Sequence, residues 1–175
     1  GVHPTCKPEP DAPADQRIEA LLGPKDRQKP EILHVGTTVS RKRIDVLLQA
    51  FAGIVNEFPG ARLVKAGGRL TEGQRQQAEA LGLNGRIEEM PFLTRPELGA
   101  LYRRCDLLLQ PSEREGFGLP VIEALASGLP ALVSELEVFH EVAGEAAEYA
   151  PLGNTEKWMD RAVELLVERW TQTDD

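Results

Sequence analysis

The sequence has no long apolar run, only two cysteines and no excess of positive charge, and each absence excludes a class of protein. No stretch approaches the roughly 18 apolar residues of a membrane-spanning helix, and no signal peptide is apparent. Cys6 and Cys105 show no metal-ligand spacing and are too few for a disulfide scaffold. The net charge of −8 argues against general affinity for nucleic acid or anionic membrane. A cytoplasmic location is therefore expected.

The 175 residues are 41% hydrophobic, which suffices for one domain with a substantial core. Residues 1–29 are rich in proline and predict an interdomain linker with one short helix. Residues 30–152 alternate strands with helices at least five times, which predicts an α/β, doubly wound parallel sheet of the Rossmann-like kind. Residues 153–175 predict a C-terminal amphipathic helix and tail.

The stretch from Gln110 to Ala126 (QPSEREGFGLPVIEALA) predicts a strand end, a glycine loop and a helix. Pro120 suits the first helical turn, because its fixed φ is helical and its missing N–H would be unpaired there. Phe117, Gly118 and Leu119 include no side chain that could cap the first N–H groups. Those donors need water or a ligand, and the helix dipole favours an anion.

Two glutamates flank this helix start. Glu115 precedes the bend, and Glu123 follows after seven intervening residues, in the predicted first helical turn. A helical side chain leans toward the N-terminus, and a carboxylate can accept two hydrogen bonds from a vicinal diol. Alternatively, Glu123 only complements the helix dipole and Glu115 is a solvated loop charge.

A second candidate site follows the first predicted strand, Glu31 to Gly36. Ser40 is expected to cap a helix whose first turn carries three cations, Arg41 to Arg43. Cations oppose the dipole there, and a bound phosphate is the natural compensation, although a solvated basic patch is the alternative. His34 lies inside the strand and is expected to be packed and neutral rather than a ligand or base.

The strand order 3-2-1-4-5 would make the first and fourth strands neighbours, so that both loops flank one crevice. Ligands of such sheets bind at the carboxyl ends of the strands, where the strand order switches.

Together, the segments VGTTVSRKRIDVLLQAF and PSEREGFGLPVIEALASGLP, with the units between them, resemble glycosyltransferase family 4. The resemblance covers residues 30–150, and the opening GVHP is similar to the segment that enters this domain. It implies the C-terminal, nucleotide-sugar-binding half of an enzyme with the two-domain GT-B fold. Family members commonly carry two glutamates separated by seven residues, which match Glu115 and Glu123.

The resemblance implies a role for each matching residue. Glu123 would bind the ribose of the nucleotide, and Glu115 would contact hydroxyls of the transferred sugar. Backbone N–H groups of Phe117, Gly118 and Leu119 would hold the diphosphate, and Lys42 would contact the leaving phosphates.

One position departs from the family, which often has arginine directly after the glycine that ends the first strand. Here Thr37 follows Gly36, and Arg41 is the candidate to supply the missing guanidinium. By analogy, Pro91 and Phe92 would line the base pocket, with uracil, guanine and adenine all open as the base.

The resemblance further implies retention at the anomeric carbon, no cofactor and no essential metal, and the sequence has no Asp-x-Asp pair suited to one. Acceptor recognition, with any peripheral contact to the cytoplasmic membrane, would belong to a missing N-terminal domain. This chain alone would bind the donor without turnover. The alternatives are a non-catalytic nucleotide-binding module of the same fold, or half of a sugar-nucleotide epimerase or phosphorylase.

Overall fold

The computed structural model describes residues 2–173, so Gly1 of the opening GVHP and Asp174 and Asp175 of the predicted tail lie outside the described residues. Helices and strands alternate along the chain, as the sequence predicts. The elements are α1 (Ala12–Leu22), β1 (Glu31–Val35), α2 (Ile44–Glu57), β2 (Arg62–Ala66), α3 (Glu72–Ala80), β3 (Ile87–Glu89), α4 (Arg95–Arg104), β4 (Leu107–Gln110), α5 (Leu119–Ala126), β5 (Ala131–Ser134), α6 (Glu137–Ala143), β6 (Glu148–Ala150) and α7 (Thr155–Thr173).

The six strands form one parallel sheet in the order β3-β2-β1-β4-β5-β6. This confirms the predicted α/β, doubly wound architecture and the predicted order of its first five strands. β1 pairs with β2 on one side and with β4 on the other. The strand order therefore switches between β1 and β4, and this switch point is where such sheets bind ligands.

Helices cover both faces of the sheet, and every residue of β1 is buried. Side chains on one face pack with α1, α4, α5 and α6 around Tyr102 and Phe139. Side chains on the other face pack with α2 and α7 around Phe51 and Trp158. Burial on both faces explains why the strands are nearly continuous apolar runs. Among residues 2–173, no helix has the length and apolar character needed to cross a membrane.

The N-terminal residues, predicted to be a linker with a short helix, carry a helix that packs on the domain. Asp11 caps α1 by accepting from the Ala14 N–H. Ala14, Ile18 and Leu22 lie four residues apart and are buried in the core beside α4. The first helix is thus part of this domain's core, whatever precedes it in a longer chain.

Helix α2 begins later than predicted. Ser40–Lys42 form a separate 3₁₀ turn, and Arg43 then adopts a left-handed conformation (φ 52°) that interrupts the helical path. The prediction that Ser40 caps α2 is therefore wrong. The three cations precede the helix, and its first turn carries Asp45, which suits the dipole.

A charge network closes the amino ends of β1 and β4. Glu31 accepts hydrogen bonds from Arg62 (Nε, 2.9 Å) and Arg104 (Nε, 2.8 Å), and Lys25 Nζ lies 3.1 Å away. Lys25 also donates to Asp106 at 2.5 Å. The network joins residues from α1's exit, β1, β2 and α4, and thereby ties the N-terminal part of the chain to the sheet.

Candidate functional site

The loops after β1 and β4 meet at the carboxyl edge of the sheet. The Glu113 N–H donates to the Arg41 carbonyl at 2.8 Å, and Lys42 Nζ donates to Glu115 Oε1 at 2.6 Å. Because β1 and β4 are neighbours, the two loops flank one crevice, as the sequence predicted. The structure therefore brings Lys42 and Glu115 together although 73 residues separate them in sequence.

Lys42 and Glu115 form a sheltered ion pair. Both side chains are only 9% exposed. The hydroxyl of the buried Ser112 donates to the same Glu115 oxygen at 2.7 Å. Arg41 lies at the edge of the pair, with Nη1 3.9 Å from Glu115 Oε2 and 3.2 Å from the Arg114 carbonyl oxygen. The crevice thus contains two cations and one carboxylate.

Each of the cations Arg41, Lys42 and Arg43 has an acidic partner within the protein. Lys42 and Arg41 face Glu115, and Arg43 pairs with Asp45 at 2.9 Å and Glu113 at 3.3 Å. The Arg43 hydrogen bonds lower the pKa of Asp45. The loop after β4 supplies two of these partners, which the linear sequence could not reveal. An anion is therefore not required to compensate these cations.

The start of α5 keeps its uncapped backbone donors. Gly118 is the N-cap residue in the left-handed region (φ 67°), and no side chain caps the helix. A Cβ on Gly118 would also lie 3.1 Å from the Phe139 ring. The positive φ and this short distance therefore both favour glycine at the position. Within the described residues, the N–H groups of Phe117, Gly118 and Leu119 have no hydrogen-bond partner. Phe117 itself is 78% exposed.

Glu123 is the fifth residue of α5, so its predicted place in the first helical turn is wrong. The helix begins at Leu119, one residue before the proline that marked its start in the sequence. Glu123 is only 4% exposed. Its Oε2 accepts from Arg95 Nη1 at 3.1 Å, and its Oε1 accepts from the Tyr102 hydroxyl at 3.4 Å. The carboxylate therefore points toward α4.

A cavity of about 610 Å³ adjoins this region, at the exits of β2 and β3. Pro91 and Phe92 contribute to its wall, and Phe92 is 91% exposed. The full lining is Val35, Ala66, Gly67, Gly68, Arg69, Met90, Pro91, Phe92, Leu93 and Leu98. This apolar cavity next to the first turn of α4 has the dimensions of a small-molecule site.

The exit of β1 lies over a buried basic group. Lys65, fully buried in β2, donates to the carbonyl oxygens of Gly36 and, at 3.1 Å, Ala66. Burial lowers the pKa of Lys65 to about 8, although Glu89 acts in the opposite direction. Lys42 Nζ would lie 3.5 Å from a Cβ on Gly36, and the following Thr37 is exposed.

His34 pairs in register with Lys65 and is fully buried. Neither ring nitrogen has a hydrogen-bond partner within the described residues. Burial, with the nearby charges of Lys65 and Lys42, holds the pKa of His34 well below its usual range. The packed, neutral histidine that the sequence suggested agrees with this environment.

Sequence reasoning missed several residues at the site. Arg95 and Tyr102 contact Glu123, Ser112 contacts Glu115, and Lys65 supports the loop at Gly36. Of these residues, only Lys65 could have been identified from the sequence, because it is a lysine within the apolar strand RLVKA. The others depend on contacts between distant segments. No group of three or more His, Cys, Asp or Glu side chains suited to a metal ion occurs among residues 2–173.

Comparison with known proteins adds a family match. Residues 22–168 match the family Glycosyl transferases group 1. A D-inositol 3-phosphate glycosyltransferase of Mycolicibacterium paratuberculosis is 35% identical over 137 residues, which cover 74% of this chain and 30% of that protein. The chain therefore spans about a third of the length of the curated relatives that it matches.

Solved structures share the fold. The C-terminal domain of a glycosyl transferase group 1 family protein from Francisella tularensis superposes with a TM-score of 0.76 at 21% identity, over 97% of this chain and 91% of that one. Anabaena HepE, in complex with UDP and glucose, has a TM-score of 0.76 at 19% identity, over 96% of this chain and 46% of that one. The six-stranded parallel sheet with its flanking helices matches the Rossmann-like C-terminal domains of GT-B glycosyltransferases.

Proposed function

The chain belongs to the family Glycosyl transferases group 1, and from that premise we propose that it is the C-terminal, donor-binding half of a family 4 glycosyltransferase. Its ligand would be a nucleoside diphosphate sugar. One observation carries the proposal. The unpartnered N–H groups of Phe117, Gly118 and Leu119 lie just past Gly116 in the loop of Glu115, whose carboxylate meets Lys42 across the crevice.

The diphosphate would bind at the start of α5. Unpaired N–H groups and the positive end of the helix dipole favour an anion there. Lys42 carries three N–H donors and uses one on Glu115, so two remain for phosphate oxygens. Arg41, with 42% of its side chain exposed, would supply the guanidinium that Thr37 lacks. Gly36, next to the Lys42 ammonium, leaves space for this contact.

The two glutamates would bind hydroxyl groups. Glu115, held by Ser112 and Lys42, would accept hydrogen bonds from the transferred hexose. Glu123 would accept from the ribose, since a carboxylate offers two oxygens to a vicinal diol. Pro91 and Phe92 would cover the base in the neighbouring cavity. Base, ribose, diphosphate and sugar would thus lie along the carboxyl edge of the sheet.

Catalysis would stabilise the departing nucleoside diphosphate, which gains negative charge as the sugar–oxygen bond breaks. Lys42, Arg41 and the α5 N–H groups would meet that charge more strongly in the transition state than in the substrate. Each charge-assisted contact contributes about 1.5–3 kcal/mol. We expect retention at the anomeric carbon and no essential cofactor or metal, so that chelators leave the transfer rate unchanged.

The acceptor would be recognised by an N-terminal domain that is not part of this chain. Glycans, lipid-linked sugars and small molecules are all acceptors consistent with a hexosyl donor site. We propose a cytoplasmic enzyme whose contact with the membrane, if it has one, is made by that other domain. This chain by itself would bind donor without turning it over.

Calorimetric titration of the chain with UDP, GDP and ADP tests the donor site. We expect saturable binding of one of the three, weakened by Lys42→Ala and by Glu123→Gln, with the circular dichroism spectrum unchanged. Absence of binding by all three, or wild-type affinity in both variants, would contradict the proposal.

Product analysis on a full-length protein separates the enzyme classes. A glycosyltransferase releases nucleoside diphosphate in step with sugar transfer. A sugar-nucleotide epimerase would change the sugar without releasing the nucleotide, and a phosphorylase would need inorganic phosphate as a substrate. Donor binding without any of these reactions would indicate a non-catalytic module.

A further inference from the structure

The residues that precede α1 are docked on α4. We call residues 2–7 the leading segment. Arg103 Nη1 donates to the carbonyl oxygens of Thr5 at 3.3 Å and Lys7 at 3.4 Å. The Cys6 N–H donates to the His3 carbonyl at 2.9 Å, which folds the segment into a turn.

Gly99 is the position on α4 that permits this docking. A Cβ added to Gly99 would lie 2.4 Å from the Thr5 carbonyl oxygen, a distance at which the backbone of the segment would have to move. Glycine is disfavoured relative to alanine inside a helix. The close approach of the leading segment provides a physical reason for a glycine here.

Docking brings Cys6 into contact with Glu123. The Cys6 Sγ lies 3.4 Å from Glu123 Oε2, and the residue is only 6% exposed. Burial, and then the charge of Glu123, raise the pKa of Cys6 to about 11. The group is therefore a thiol at neutral pH and donates its S–H to the carboxylate.

The three partners of Glu123 differ in how readily they can be displaced. Tyr102 and Cys6 are buried, and each holds a different carboxylate oxygen. Arg95, which also donates to Oε2, has 57% of its side chain exposed. A carboxylate has about four lone-pair sites, so displacement of Arg95 would leave one acceptor site on each oxygen. That is the arrangement that a vicinal diol requires.

We propose that the leading segment is part of the donor site, because Cys6 together with Tyr102 orients Glu123 toward the ribose diol. Cys6 is a positioning residue in this arrangement, and Arg95 covers the carboxylate until the ribose replaces it. The inference rests on the proposed function and extends it. Ribose recognition by α5 depends on a segment that enters the domain from its N-terminal side.

The test compares a nucleotide that has the diol with one that lacks it. UDP and 2′-deoxy-UDP, and in parallel the corresponding pairs of GDP and ADP, are titrated into the chain by calorimetry. Loss of one hydrogen bond to a carboxylate weakens binding about tenfold or more, so wild type should prefer the ribonucleotide by that ratio.

Cys6→Ala should reduce this ratio to about threefold or less, with a smaller loss of affinity for the deoxynucleotide, which keeps one of the two hydroxyls. Cys6→Ser, which keeps a donor, should restore most of the preference. Cys105→Ala is the matched control, because Cys105 is also buried but does not contact Glu123. A wild-type ratio in Cys6→Ala would overturn the proposal.

Gly99→Ala tests the same inference without altering Cys6 or Glu123. The added methyl should displace the leading segment and lower the ratio as Cys6→Ala does. Gly73→Ala is its control, since a Cβ on this glycine of α3 would meet no atom within 4 Å. A folded Gly99→Ala chain with the full ribonucleotide preference would count against the proposal.

Glu123→Gln separates failure of the inference from failure of the proposed function. If this variant keeps the ribonucleotide preference, the assignment of Glu123 to ribose is wrong, and both proposals fail. If Glu123→Gln loses the preference while Cys6→Ala and Gly99→Ala keep it, only the inference fails. If none of UDP, GDP and ADP binds wild type, the donor site is absent and the inference falls with it.

Discussion

Each end of the central sheet has a buried carboxylate, and the two carboxylates differ in their hydrogen-bond partners. Glu31 at the amino end accepts five hydrogen bonds from three cations, namely Lys25, Arg62 and Arg104. Glu123 at the carboxyl end accepts three hydrogen bonds, one of them from the exposed Arg95. The side chains of Glu31 and Glu123 are similarly sheltered, 3% and 5% exposed.

The difference lies in the acceptor sites that remain. A carboxylate with about four lone-pair sites is saturated by five donors, and Glu31 can accept nothing further. Glu123 and Glu115 keep unused acceptor sites. An exposed arginine lies beside each of them, Arg95 beside Glu123 and Arg41 beside Glu115. This comparison indicates that the amino end stabilises the fold whereas the carboxyl end is adapted for exchange with a ligand. The following experiments test the distinction, starting with the largest expected effect.

Glu31→Ala should lower the free energy of unfolding by about 3–5 kcal/mol, because three cations lose their shared buried partner. Urea titration measures the change, and the nucleotide affinity of the folded protein should stay the same. Glu88→Ala is the control: Glu88 is an exposed partner of Arg62 at 4.0 Å, and its loss should cost less than about 1 kcal/mol. Equal losses of stability in the two variants would show that Glu31 stabilises the fold no more than an exposed ion-pair partner does.

The ion pairs of Glu31 also predict that the free energy of unfolding depends on pH. Burial alone would raise the pKa of Glu31, but the Arg104 hydrogen bond and the Lys25 charge outweigh it, so the pKa is lowered in the folded chain. Its stabilisation is therefore complete above the ordinary carboxyl pKa and is lost as the pH falls through the lowered folded value. Glu31→Ala should be less sensitive to acid than wild type.

Lys42→Ala should weaken nucleoside diphosphate binding by about 1.5–3 kcal/mol, since a charge-assisted contact to phosphate is lost. Calorimetry measures the affinity. Arg43→Gln is the control: it removes the adjacent cation, which pairs with Asp45 and Glu113 outside the Lys42–Glu115 pair. If both variants bind equally weakly, the effect comes from general charge, and the carboxyl end has no specific phosphate contact.

Lys65→Met should change the free energy of unfolding by less than about 2 kcal/mol at neutral pH, because removal of a buried charge is opposed by the loss of a donor to two backbone carbonyls. Nucleotide affinity should fall in the same variant, since the Gly36 and Ala66 carbonyls lose their donor. Urea titration and calorimetry on one preparation test both effects. Unchanged affinity would show that Lys65 does not support the site.

The smallest expected effect is the contribution of His34 to the pH dependence of the free energy of unfolding. Because its pKa is lower in the folded chain than the ordinary histidine value, stability should be lost as the pH falls below that value. The loss is about 1.4 kcal/mol per pH unit below about pH 6.5. His34→Phe should flatten this dependence, whereas His140→Leu, which removes an exposed histidine, should keep it. Chemical denaturation at about pH 7.5 and about pH 5.5 makes the comparison.

The sequence was informative wherever a local signal decides the structure. The capping-box patterns that begin at Thr71 and Thr94 can be read directly from the sequence, and both boxes form. The alternation of strands and helices likewise predicted the parallel sheet. The short strand Glu148–Ala150 lies at the edge of the sheet beside β5. Each of these features depends on neighbouring residues or on rules for parallel sheets.

Errors arose where distant contacts override local preference. Ser134 lies just before α6, where a serine commonly caps a helix, but it ends β5 and its hydroxyl donates to the Ser112 carbonyl at 2.6 Å. Arg43 adopts a left-handed conformation that its type does not favour. Cys6 and Glu123 are separated by 117 residues, so no spacing rule could join them. The roles of individual site residues remain predictions until ligand binding is measured.

The docking of the leading segment has a practical consequence for recombinant work. A fragment cut to the extent of the family match, residues 22–168, would begin at the end of α1 and would lack Cys6, Ala14 and Ile18. Helix α4 would then expose an apolar strip and the notch at Gly99 to solvent. Fragments for crystallisation or screening should therefore retain residues 2–11 together with α1.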